Sequence, residues 1–155
     1  MFSKIVSLLL FTILSVSSYA QVLVSNIPVF DLTKLNQEGL TETQAQALLV
    51  LSLKNIILHC LAFFMDEALK NDQGKPFHSG YYSFGVGYDS PSAGATDIWG
   101  LFSVSPKTGD IWEEYSCERI SFPALQKIQQ EIMKKTGATF ASEVVQRRGL
   151  GCTDE

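Results

Sequence analysis

The chain has 155 residues, 12 Lys and Arg against 16 Asp and Glu, a formal net charge of −4, and 46% hydrophobic residues. That length suits one domain, and the acidic balance speaks against nucleic-acid binding, because phosphate contacts need clustered Lys and Arg. The only basic clusters, Lys134-Lys135 and Arg147-Arg148, are short and read as solvated faces.

Residues 1–20, "MFSKIVSLLLFTILSVSSYA", have a basic start at Lys4, an apolar run from Ile5 to Val16, and small residues at Ser18 and Ala20. That is the anatomy of a secretory signal, with cleavage expected between Ala20 and Gln21. A retained signal anchor is the alternative, but the apolar run is short for a span of about 20 residues. No Cys lies near the cut, so no bacterial lipid anchor is expected. Asn-x-Ser/Thr is absent, which fits a bacterial envelope at least as well as a eukaryotic secretory route. The expected location is therefore periplasmic or secreted, with no membrane span in the mature chain.

Residues 21–40, with Pro28 and scattered apolar positions, suit an irregular arm, and 41–155 form a single small domain. A long helix is expected over 42–70. It opens with a capping box, Thr41 with Gln44, and a staple of Leu40 on Ala45, and it stops at Asn71 to Gly74. It is apolar nearly all round from Ala47 to Met65, so a membrane span is one reading, but Lys54 and Asn55 are costly in lipid. A central helix covered by a sheet and a second helix is the favoured one. His59 and Cys60 are neighbours on that helix and point about 100° apart, so they make no metal or nucleophile pair.

After Gly74 the period changes to two. Tyr82, Phe84, Val86 and Tyr88 fall on one face of a strand, and Tyr81, Ser83, Gly85 and Gly87 on the other. Glycines in a strand mark a bulge, a bend or a close approach, here suggesting a Trp ring lying over Gly85 and Gly87. "YDSPSAGATD" reads as a surface loop, and its glycines belong to no phosphate-binding motif. The segment "DIWGLFSVSPKTGDIWEEY" then forms a hairpin whose turn sets Pro106 and Gly109 as in a type I turn with a G1 bulge. Trp99 and Trp112 are expected to share one face, either shielding the glycines or forming a patch rimmed by Asp97, Asp110, Glu113, Glu114 and Glu118.

Three cysteines allow one internal disulfide and one remaining thiol. Cys117–Cys152 is the expected pair, tying the tail to the sheet, with Cys60–Cys117 as the alternative; no C-x-x-C redox motif is present. "SFPALQKIQQEIMKKTG" forms a second helix, with Ser121 near its N-cap, Pro123 in the first turn, a stripe of Phe122, Leu125, Ile128 and Ile132, and a stop at Gly137. A last short helix or strand lies in "TFASEVVQRR".

The fold expected is α+β: a long N-terminal helix on a three-stranded antiparallel sheet, followed by a second helix. The run "LFSVSPKTGDIWEEY" resembles the strand-turn-strand of PepSY-like exported domains and of some immunity proteins with an NTF2-like fold. The resemblance implies a small exported binding or inhibitory domain and carries no catalytic residues across.

No paired-His metal spacing, G-x-S-x-G elbow or recognisable Cys nucleophile occurs, and His78 reads as a loop residue, so no enzyme, cofactor or metal is expected. The leading functional reading is an exported module that binds another protein, such as an immunity or inhibitor protein against a secreted toxin or cell-wall hydrolase. Its contact residues would be Trp99, Trp112, Tyr81, Glu113 and Glu114. The alternatives are a small-molecule or peptide pocket between the long helix and Tyr82, Phe84 and Tyr88, or a structural envelope role.

Overall fold

The computed structural model describes residues 29–54, 63–65, 67–90 and 95–152. Helix α1 (Glu42–Lys54) precedes strands β1 (Phe63–Met65), β2 (Tyr82–Ser90), β3 (Ala95–Val104), β4 (Ile111–Glu113) and β5 (Glu118–Arg119); helices α2 (Pro123–Thr136) and α3 (Val144–Arg148) follow. All strand pairs are antiparallel, and the sheet runs β1-β2-β3-β4-β5 in chain order. The α+β class therefore holds, with five strands in place of the expected three. The proposed signal segment lies outside the described residues.

Helix α1 starts where its caps require. The Thr41 amide donates to Gln44 Oε1 at 2.9 Å and the Gln44 amide to Thr41 Oγ1 at 3.3 Å, which satisfies two of the free amides of the first turn. Leu40 and Ala45, the expected staple, are both in the core. The helix expected to continue to residue 70 does not do so: Phe63–Met65 are a strand, paired with Tyr88, Gly87 and Val86. A short apolar run reads alike as buried helix or strand, and here aromatic residues take the free edge of β2. Residues 55–62, with His59 and Cys60, lie outside the described residues.

The core follows from the pleat. Phe84 and Val86 of β2, Phe102 and Val104 of β3 and Ile111 of β4 pack with Leu48, Leu49 and Leu53 of α1 and Leu125 and Ile132 of α2. Each of these side chains is essentially inaccessible, and full burial of such a residue contributes about 1.5–3 kcal/mol. α2 has Phe122 as its N-cap residue, Pro123 at the start, and Gly137 in the left-handed conformation that ends it. Ser121, expected near the cap, instead accepts from Gln126 Nε2 at 2.9 Å. No helix among the described residues is long and apolar enough to cross a membrane.

The β3–β4 turn locks both helices to the sheet. Gly109 has φ of +68°, and a Cβ there would come within 2.6 Å of Ile132 Cδ1 and 3.2 Å of Leu48 Cδ2. Glycine is needed for conformation and for space together. Gln129 of α2 also donates to the Gly109 carbonyl at 2.9 Å.

The other face of the sheet is polar and is covered by the C-terminal segment. Glu143 accepts from Ser105 Oγ and Thr108 Oγ1, both at 2.6 Å. Arg147 Nη1 lies 3.8 Å from the fully buried Asp110, and the Arg119 guanidinium stacks 4.2 Å from the centre of the Phe140 ring. The segment expected to add a last helix or strand is a 3-10 turn, Ala141–Glu143, followed by α3. Cys117 and Cys152 form the disulfide, with Cα atoms 4.9 Å apart, so the Cys60–Cys117 alternative falls.

Candidate functional site

The register decides where the two tryptophans go. Ser103 pairs with Trp112, and Phe102 with Glu113, so Trp112 belongs to the polar face and Glu113 to the core face. Between Val86 and Gly87 the pairing shifts: Val86 faces Gly100 while Gly87 faces Ile98. The extra residue is Trp99. A bulge re-aims the side chain it carries, and the Trp99 ring lies against Phe102 with centroids 5.2 Å apart. The expected pairing of Trp99 and Trp112 on one face is thus corrected by a one-residue bulge. Gly87 does mark a bulge, whereas Gly85 pairs in regular register with Leu101.

Trp112 is half-buried, and its indole donates to Asp110 Oδ2 at 2.9 Å while Arg119 Nε donates to Oδ1 at 2.5 Å. Tyr81, expected on a contact surface, is 1% exposed; burial, then the charges of Asp110 and Glu143, push its phenol well above the ordinary range. Glu114 is also largely enclosed. It accepts from Ser103 Oγ at 2.5 Å and pairs with His78 Nε2 at 2.9 Å, and Ser83 and Ser103 join at 2.7 Å. Asp110, expected on an acidic rim, is instead the centre of the buried network. Asp110 joins the sheet to its C-terminal cover through Arg147, and none of the four side chains is exposed.

Trp99 and Glu113 are placed differently. They line a cleft of about 510 Å³ at the β3–β5 end of the core face, with Phe102, Glu118, Ile120 and Phe122 as further walls. Trp99 is 37% exposed, and Ile98 and Tyr115 beside it in sequence and turn are 73% and 72% exposed. Burial pushes the Glu113 carboxyl up, but the Ser116 hydroxyl and the amides of Ser116, Tyr115 and Leu101 outweigh it and hold it below the usual range. It is therefore a fixed anion in the cleft wall. Ile120 and Phe122 were not legible as cleft residues in the sequence, because β5 is two residues long and has no period to detect.

Where α1 meets Phe84 and Val86 the space is filled: these side chains are 0% and 1% exposed against the leucines of α1, so among the described residues no ligand pocket opens at that contact. No cluster of metal-ligating side chains occurs among the described residues.

Residues 39–144 match the family model described as type VI secretion system (T6SS) immunity protein Tgi2PP. The chain belongs to the Tgi2PP immunity protein family. The match runs from Gly39 through the whole sheet and α2 to Val144, so the cleft lies inside the Tgi2PP region and Cys152 beyond it. A chain of a type VI secretion system effector-immunity complex from Pseudomonas protegens is similar in sequence and structure. It is 44% identical with a TM-score of 0.74, over 81% of this chain and 99% of that one. No curated protein matches the chain. The Tgi2PP assignment supports the immunity half of the hairpin resemblance and replaces its PepSY-like and NTF2-like half, which rested on a common turn.

Proposed function

We propose that this chain binds a type VI secretion effector and blocks it, in the periplasm, after export directed by residues 1–20. Membership of the Tgi2PP immunity family over residues 39–144 carries this reading. Likeness to a chain of an effector-immunity complex supports it. Inhibition here is a matter of occupancy rather than chemistry: Asp110 is engaged by Arg119 and Arg147, and Glu143 by the hydroxyls of Ser105 and Thr108, beneath the C-terminal cover.

The contact face is the open β3–β5 end. Exposed Trp99 lines a concavity with Glu113 and Glu118 at its wall, the pairing of aromatic anchor and polar rim from which binding hot spots are built. The test is protection of a susceptible recipient attacked by a donor that delivers the cognate effector. The full chain protects, and a chain lacking residues 1–20 does not. Equal protection by both overturns the periplasmic assignment, and protection by neither overturns the immunity reading.

A further inference from the structure

The cleft sets two carboxylates against each other across a strand pair. Glu113 and Glu118 are direct cross-strand partners in the β4–β5 pair, and both line the same concavity. Like charges directly opposite one another on a sheet are destabilising. The two ion pairs that the sheet makes with buried Asp110 lie on its other face, and none of the ion pairs seen among the described residues involves Glu113 or Glu118. Arg119, the one basic residue at the cleft, is held by Asp110 and stacked on Phe140. The floor is aromatic and aliphatic, Trp99, Phe102, Ile120 and Phe122, with Ser116 and Ser121 as the remaining polar members of the wall.

Two facing carboxylates beside a partly open indole, on an apolar floor, suit one kind of occupant. We infer that the cleft receives a single protruding arginine side chain of the bound effector, its guanidinium between Glu113 and Glu118 and its aliphatic stem along Trp99 and Phe122. A guanidinium is planar, presents several donors, and stacks on aromatic faces, so it satisfies both walls at once. Its charge also removes the cross-strand repulsion, which couples occupancy to a gain the free chain lacks. Glu113 is held rigid by the amide and hydroxyl of Ser116, both 2.6 Å from its Oε2, and by the Tyr115 amide 3.2 Å from its Oε1, so it contributes mainly charge, and exposed Glu118 supplies the freer acceptors. This inference rests on the immunity reading for the identity of the partner, but not for the chemistry of the cleft.

The test separates the two. Acetyl-Gly-Arg-Gly-amide is titrated into the oxidised, isotope-labelled full chain while both indole N–H resonances are followed. Trp99 reports the cleft, and Trp112, tied to Asp110 on the opposite face, is an internal control. The Trp99 signal shifts with the arginine peptide and not with acetyl-Gly-Glu-Gly-amide, and the Trp112 signal stays. Glu118→Gln weakens the arginine peptide by about threefold and Glu118→Lys by about tenfold or more, and added salt weakens it further. Glu118 is exposed, so these variants keep the fold; Trp99→Ala, followed by a Glu113 amide signal, removes the stacking contribution independently. An unmoved Trp99 resonance at peptide concentrations of about 10 mM, or equal shifts with both peptides, overturns the inference. So does an effector complex whose affinity is unchanged by Glu118→Lys, and that result leaves the immunity reading standing. An effector that fails to bind, while the peptide titration behaves as described, overturns the immunity reading instead.

Discussion

Breaking the Cys117–Cys152 disulfide should cost this domain a large share of its stability without dissolving its fold. The bridge closes a loop with a sequence separation of 35 residues, for which the chain-entropy model gives about 4 kcal/mol. A domain of this size is stable by only about 5–15 kcal/mol. The native contacts that dock the tail survive the loss: Glu143 on Ser105 and Thr108, and Arg147 beside Asp110. The effect is therefore expected mainly through the unfolded chain. Cys117 has a left-handed backbone, φ 55°, which serine in its place would keep. Cys117→Ser, Cys152→Ser and the double variant are compared with the oxidised chain by urea unfolding, followed by tryptophan fluorescence. The three variants should agree and should lie about 3–4 kcal/mol below the oxidised chain. A loss below about 1 kcal/mol, or single variants that differ strongly from the double, refutes the reasoning.

Gly109→Ala places a methyl group against Ile132 and Leu48 at a left-handed position, so it should destabilise by more than about 1 kcal/mol in the same unfolding assay; a neutral result contradicts the locking role of the turn. Asp110→Ala removes the buried carboxylate that Arg119 and Arg147 share, and because Arg119 is partly exposed the expected loss is about 2–4 kcal/mol, below the cost of a fully buried pair. Burial pushes the Glu143 carboxyl up despite its two hydroxyl donors, so the folded state binds its proton more readily than the unfolded chain. That contribution is complete below the unfolded carboxylate range and is lost as pH rises through the raised folded value. The stability of the native chain relative to Glu143→Gln should therefore fall between pH 4 and pH 7, roughly the window above the ordinary glutamate value, and a rise over that range contradicts it. Glu118→Gln removes a like-charge cross-strand pair and should raise the thermal midpoint of the free chain, by the equivalent of about 0.2–1 kcal/mol; a lowered midpoint means that Glu118 is paired in solution.

Much of the architecture was legible because local signals agreed with one another. The Thr41–Gln44 box, the left-handed glycines at Gly109 and Gly137, and the period-two face of Phe84 and Val86 each have a short-range cause, and each stands in the structure as expected. The class followed from them, whereas the disulfide found was one of two pairings that the cysteine positions left open. What was illegible depended on pairing at a distance. "AFFM" reads equally as the end of an apolar helix, and only the free edge of β2 makes Phe63–Met65 a strand. The bulge at Trp99 is one residue long, yet it moves the indole to the face opposite Trp112. Tyr81, Glu114 and Asp110 look like surface groups in sequence. They are enclosed because the C-terminal segment folds over the polar face of the sheet, which nothing in their own neighbourhood announces.

The immunity account is tested most directly by mapping the effector complex. Hydrogen exchange is measured on the oxidised full chain, alone and saturated with its cognate effector. The account predicts new protection concentrated in 98–102 and 113–122, the segments that carry the cleft and its exposed rim, with the outer surface of α2 unchanged. Protection confined to α2 or to the C-terminal cover, with 98–102 and 113–122 exchanging as in the free chain, contradicts it.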